Sequence, residues 1–128
     1  TEMSDMCSTT TCPYIVGGDF NILRNAKEKN KKTRMSHATD LFNSIINTFC
    51  LREIDINGGI YTWSNNQKNP TLEKLDHILM SSSWERQFPL TFVRKLTKEI
   101  SDHSPLLLNT EDFIPNSVHK RDFRFDLN

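Results

Sequence analysis

The sequence predicts an α+β domain of the layered α/β/α sandwich type. Three observations predict it. A helical apolar pattern occupies residues 37–51, short β-rich runs lie on both sides of it, and one later run is apolar on both faces. A helix with an apolar stripe buries that stripe against a sheet, and a strand apolar on both faces lies inside a layered structure.

The 128 residues suffice for one small domain with a core. Hydrophobic residues make up 36% and charged residues 25%, which excludes a disordered chain. Lys plus Arg and Asp plus Glu number 16 each, so no global basic field marks a polyanionic partner. A local basic patch would still suffice for nucleic acid. No apolar run approaches the ~18 residues of a membrane span, and residues 1–12 lack a signal-peptide core. These features predict an intracellular protein of nucleus or cytoplasm, with no membrane partner. The three cysteines, Cys7, Cys12 and Cys50, form neither a zinc knuckle nor a disulfide framework by spacing, so free thiols are expected.

Residues 1–12 read as a loose lead-in, 13–110 as the folded part and 111–128 as a polar tail or linker. Tyr14-Ile15-Val16 predicts a strand, ended by Gly17-Gly18, which would present Asp19 and Asn21 at its tip. Lys27 to Arg34 predicts an exposed loop, either simply solvated or holding a DNA backbone. Ser36 is the expected N-cap of the helix, where Leu41, Phe42, Ile45, Ile46 and Phe49 recur at helical spacing. Asn57-Gly58-Gly59 predicts a turn and Ile60 to Ser64 a strand. Leu72 to Met80 predicts a strand buried on both sides, with Leu75, His77 and Leu79 on one face and Asp76, Ile78 and Met80 on the other. A helical turn at Ser82 to Gln87 and strands at Leu90 to Leu96 and Pro105 to Leu108 complete the expectation.

Asp76 is the most informative single residue. A carboxylate on a two-faced apolar strand needs a partner, since breaking a buried ion pair costs roughly 3–5 kcal/mol. The sequence offers a structural pairing with Lys74 or Arg94, or a His–Asp dyad with His103. Ser101-Asp102-His103 cannot form a serine-protease triad, because three adjacent residues cannot converge. A carboxylate beside an imidazole suits metal-assisted hydrolysis better. Gly18-Asp19-Phe20-Asn21 adds a carboxylate and a carboxamide at a strand end, although an Asx-turn explains it equally simply.

Taken in order, Gly18-Asp19-Phe20-Asn21, the helix, Tyr61-Thr62-Trp63-Ser64, Leu75-Asp76-His77-Ile78-Leu79, Ser83-Trp84 with Phe88-Pro89, and Ser101-Asp102-His103-Ser104-Pro105 resemble the endonuclease/exonuclease/phosphatase superfamily. Within it the pattern is most similar to the apurinic-like endonuclease domain of plant LINE (non-LTR) retrotransposons. Arg124-Phe125 resembles the segment that precedes the reverse transcriptase domain in such polyproteins.

The resemblance implies DNA as the parent's substrate and Mg²⁺ or Mn²⁺ as cofactor. It implies that Asp19 activates the attacking water, Asn21 meets the scissile phosphate, Asp76 holds the catalytic imidazole, His103 stabilises charge on phosphorus, and Asp102 is a metal ligand. It places Thr62 near the substrate surface and leaves His77 structural. Family members also carry an asparagine strand and a Gln-Glu pair, whose glutamate is the principal metal ligand, before the Gly-Asp-Phe-Asn strand. Only about a dozen residues precede Tyr14 here, and Glu2 and Asp5 lack that context. The resemblance therefore implies the C-terminal half of the domain, weakly active or inactive alone. A phosphatase of the same superfamily and a non-catalytic nucleic-acid-binding remnant are the alternatives. Oligomeric state is not legible.

Overall fold

The computed structural model describes residues 12–98 and 101–110, and the backbone of residues 122–125. The fold is α+β. Strand β1 (Ile15–Asp19) leads through a 3-10 turn (Ala26–Glu28) to helix α1 (His37–Thr48). Then follow β2 (Arg52–Glu53), β3 (Ile56–Asn57), β4 (Trp63–Ser64), β5 (Leu72–Glu73) and β6 (Asp76–Met80). Helix α2 (Ser82–Gln87) precedes β7 (Phe92–Lys95), β8 (Leu106–Asn109) and β9 (Asp122–Phe125).

The strands form three sheets, ordered β1-β6-β2, β3-β7-β8-β9 and β4-β5. All described pairings are antiparallel except β3 with β7. Strand β6 joins two cores. Ile78 and Met80 on one face pack with Ile54, Ile56, Val93, Leu106 and Leu108. Leu79 on the other packs with Phe42 and Ile46 of α1, flanked by Phe20, Ile22 and Leu51. This is the two-faced burial that its apolar pattern predicts, and all five residues from Asp76 to Met80 are buried.

Helix α1 starts where the sequence places it, with the Ser36 hydroxyl accepting from the Thr39 N–H. Its buried stripe is narrower than expected. Thr39, Phe42 and Ile46 face inward, whereas Leu41, Ile45 and Phe49 are each more than half exposed. The helix meets the sheet along one ridge, so residues one position away rotate out to solvent.

Three strand expectations change. Gly17 and Gly18 do not end β1 but lie inside it, pairing with Ile78 and His77, and the strand continues to Asp19 opposite Asp76. A Cβ on Gly17 would lie 3.2 Å from Ile78 Cγ1, so the glycine permits close approach rather than a turn. The run Leu72 to Met80 is split, because the N–H groups of Leu75 and Asp76 both donate to the Thr62 hydroxyl, at 3.0 and 3.1 Å. The strand expected at Ile60 to Ser64 shortens to Trp63–Ser64. Residues 122–125, read from sequence as polar tail, add a strand beside β8. The Lys27 to Arg34 loop is exposed as expected at Lys27, Asn30, Lys31, Lys32 and Arg34, but it is pinned at a few points. Glu28 is buried, Lys29 bridges to Glu73, and Lys31 Nζ donates to the Asn69 carbonyl at 3.0 Å.

The free-thiol expectation fails at Cys50, which is disulfide-bonded. Cys12 is a free, exposed thiol, and Cys7 lies outside the described residues. No helix among the described residues is long and apolar enough to cross a membrane.

Candidate active site

The site is built at one end of the β1–β6 ladder. Asp19 and Asp76 are Cα partners there, so both carboxylates leave the same end of the sheet. The segment 101–104 is laid over them by backbone bonds to the neighbouring chain. Ser64 N–H donates to the Asp102 carbonyl at 3.0 Å and Ser104 N–H to the Thr62 carbonyl at 2.8 Å. The Ser101 hydroxyl accepts from the His103 N–H at 3.0 Å. These bonds deliver the His103 ring to the two carboxylates.

His103 bridges the pair. Its Nδ1 lies 2.8 Å from Asp76 Oδ2 and its Nε2 3.4 Å from Asp19 Oδ2. Asp76 is fully buried and the His103 side chain is 10% exposed, whereas the Asp19 side chain is 32% exposed. The row therefore runs from a buried carboxylate, through an imidazole, to a carboxylate facing solvent. The alternative partners fail: Lys74 pairs with Glu53 at 2.7 Å, not with Asp76.

Burial pushes the Asp76 carboxyl above its ordinary range, against the opposing pull of the Thr62 hydroxyl and of His103. Its Oδ1 is buried without a hydrogen-bond partner among the described residues. Asp76 Oδ2 is left to accept from Nδ1–H, which sets the ring orientation and turns Nε2 toward Asp19.

Asn21 joins the site through its backbone. Its N–H donates to Asp19 Oδ1 at 2.8 Å, closing an Asx-turn, and its φ is +54°. The Asx-turn reading of Gly18-Asp19-Phe20-Asn21 is thus met, and the turn orients the Asp19 carboxylate. Asp102 stands outside the group of Asp19, Asp76 and His103, whose ligand atoms lie within 4.8 Å of one another. It is exposed, and the Trp63 indole N–H donates to its Oδ2 at 3.0 Å. That hydrogen bond, with His103 nearby, holds the Asp102 carboxyl below its ordinary range.

Thr62 does not face a substrate. It is fully buried, and its hydroxyl accepts from the Leu75 and Asp76 N–H groups. The substrate-contact role implied by resemblance is therefore replaced by a supporting one. The sequence carried the signal, a small hydroxyl residue between two aromatics on a short strand, but its two acceptor bonds are long-range and invisible there.

Sequence reasoning missed a second cluster on the opposite face of β6. Glu53 receives Lys74 Nζ at 2.7 Å, His77 Nδ1 at 2.7 Å and Arg24 at 2.9 Å. Burial alone would raise Glu53, but the hydrogen bonds and charges of His77 and Lys74 outweigh it and hold the carboxyl at about 2. Glu28, Glu53 and His77 have ligand atoms close enough for a metal ion. The Lys74 ammonium already lies between their carboxylates, 4.0 Å from Glu28 and 2.7 Å from Glu53, and supplies the cation.

An α+β domain that holds a carboxylate–imidazole–carboxylate row at a sheet end is equipped for proton transfer and charge stabilisation at a bound substrate. The family's sequence model matches residues 5–103, and the chain belongs to the endonuclease/exonuclease/phosphatase family. No curated protein and no solved structure matches it.

Proposed function

We propose that the chain acts in hydrolysis of DNA phosphodiesters, as part of an endonuclease domain of the LINE retrotransposon type. The carrying observation is His103, held by buried Asp76 at 2.8 Å and aimed at exposed Asp19. Asp19 takes the proton of the attacking water, whose oxygen bonds to phosphorus as the opposite P–O bond breaks. His103 Nε2 stabilises negative charge on the phosphoryl oxygens, and Asp76 fixes the ring while this happens. Asn21, bonded to Asp19 through its N–H, brings its carboxamide to the same edge.

Family membership implies a divalent metal, Mg²⁺ or Mn²⁺ in this reading. The donor set fits a Mg²⁺ site of the kind held by one or two carboxylates and otherwise by water and phosphate. Asp19 would hold it, in the group with Asp76 and His103 whose ligand atoms lie within 4.8 Å of one another, whereas Asp102 stands outside that group. When bound, the ion neutralises charge building on the phosphate. One Asp76 oxygen is already taken by His103, so few protein oxygens remain for the cation and activity of this chain alone is weak.

The test is nicking of supercoiled plasmid by the purified chain in Mg²⁺ or Mn²⁺, beside His103→Ala. Slow nicking that falls about 10²-fold or more in the variant supports the reading. Equal rates in both proteins would remove His103 from the chemistry. Faster turnover of a phosphoinositide than of plasmid would favour a phosphatase. Salt-dependent DNA binding without cleavage would favour a binding remnant.

A further inference from the structure

The cluster behind β6 has no part in the reaction as drawn, yet every strand of it reaches the segment that carries Asp19 and Asn21. Residues 20–24 have no regular secondary structure, and side chains or backbone groups from elsewhere fasten them one by one. The Phe20 N–H donates to the Leu75 carbonyl at 3.0 Å. The Ile22 carbonyl faces His77 Nε2 at 2.7 Å. The Leu23 carbonyl accepts from the Thr39 hydroxyl at 2.7 Å, and the Arg24 carbonyl from the Asn43 amide at 3.0 Å.

His77 is the innermost of these fasteners. It is fully buried, directly follows Asp76, and points to the other face of β6. Its ring lies 6.1 Å from Phe20 and 5.4 Å from Phe42. A carbonyl oxygen can only accept, so Nε2 donates to Ile22. Glu53 already accepts from Lys74 and Arg24, so it meets His77 Nδ1 as a carboxylate and Nδ1 donates as well.

We propose that His77, oriented by Glu53, is a positioning residue that holds Asp19 and Asn21 in their working geometry through the Ile22 carbonyl. Asn21 shows why such a hold is needed. Its left-handed φ is uncommon for a non-glycine residue, although Asn tolerates it better than most, and the bonds on either side keep it there. One residue later, the 2.7 Å bond from His77 stops the chain from relaxing into an extended path, which would carry the Asn21 N–H away from Asp19 Oδ1. The two histidines divide the work: His103 addresses the reacting groups, and His77 holds the strand end that meets them. The catalytic meaning of this hold rests on the nuclease reading, but the geometry itself can be read without turnover.

The experiment is NMR of the full chain. In the wild type, both His77 ring nitrogens carry hydrogen, with a through-hydrogen-bond coupling from Nε2–H to the Ile22 carbonyl carbon. Amide exchange of Phe20 and Asn21 accelerates about tenfold in His77→Leu, while Leu106 and Leu108 exchange as before. His77→Gln, whose side-chain amide can donate to Ile22, restores part of the protection. If His77→Leu fails to fold, Glu53→Gln shows the same acceleration to a smaller degree. A His77 Nε2 without hydrogen, or Phe20 and Asn21 exchange that tracks global stability alone, would overturn the proposal. A chain that shows these signals but never nicks DNA would contradict the nuclease reading and leave the positioning role standing.

Discussion

Asp19 and Asp76 are Cα partners across the last rung of the β1–β6 ladder, and His103 lies between their carboxylates, hydrogen-bonded to Asp76 through Nδ1 with Nε2 3.4 Å from Asp19. Although the two acids share a rung, their environments differ. Asp76 is sealed in the interior and Asp19 faces water. In the nuclease reading proposed above, the buried acid orients the imidazole and the accessible one meets the substrate.

Replacing Asp76 by Asn tests the cost of that arrangement. Its carboxyl is raised by burial, so the native state binds a proton that the unfolded chain gives up more readily. Asp76 therefore subtracts stability as pH rises from its ordinary carboxyl range through its raised native value. Asp76→Asn is expected to melt no lower than the wild type at pH 7 while losing nicking activity. Calorimetry from pH 4 to pH 7 checks it, and the variant should show less decline with pH.

Glu53 behaves in the opposite sense. Its native carboxyl lies at about 2, against an ordinary value near 4.5. The stability it contributes is fully present above pH 4.5 and is lost as pH falls toward 2. By linkage this is about 3 kcal/mol, an order-of-magnitude figure for a side chain only 9% exposed. Urea denaturation of the wild type and Glu53→Gln at pH 7 and pH 3 should give midpoints that converge at the lower pH.

Thr62→Val keeps shape and removes the hydroxyl that serves the Leu75 and Asp76 N–H groups. Two buried donors are left unpaired, so the expected loss is about 2–4 kcal/mol. Thr62→Ser keeps the hydroxyl and should cost about 1 kcal/mol or less. Equal losses in the two variants, measured by chemical denaturation, would show that volume rather than the hydroxyl matters.

Trp63→Phe removes the indole donor to Asp102. The Asp102 carboxyl should then titrate higher than in the wild type, since that hydrogen bond is the main cause of its lowering. Carboxylate ¹³C titration reads the shift directly, and an unmoved Asp102 would assign the lowering to His103 instead.

Much of this was legible in the sequence because it is local or periodic. Ser36 as N-cap and the two-faced burial of β6 follow from spacing and from two-residue alternation, and the cost of burying a carboxylate marks Asp76 as needing a partner, with His103 one of the candidates. What was not legible depends on long-range geometry. The inward turn of Thr62 is set by the break between β5 and β6. The placement of Gly17 and Gly18 inside β1 is set by contact with Ile78, 61 positions away. Glu53 carries no local signal in the sequence. Its partners Arg24, Lys74 and His77 come from three separate segments that only the fold brings together.

The parity of β6 has a further consequence for how this chain tolerates change. Asp76 and His77 are adjacent in sequence but serve opposite sides of the sheet, one toward His103 and the other toward Ile22. Sliding β6 by one residue against β1 would exchange them, sending the carboxylate among Phe20 and Phe42 and the imidazole toward the reacting groups. Insertions or deletions of one residue between Asp76 and Met80 are therefore far more damaging than substitutions there. The loop from Asn65 to Pro70 joins β4 to β5 and lies outside that ladder, so a change of its length leaves the parity of β6 intact.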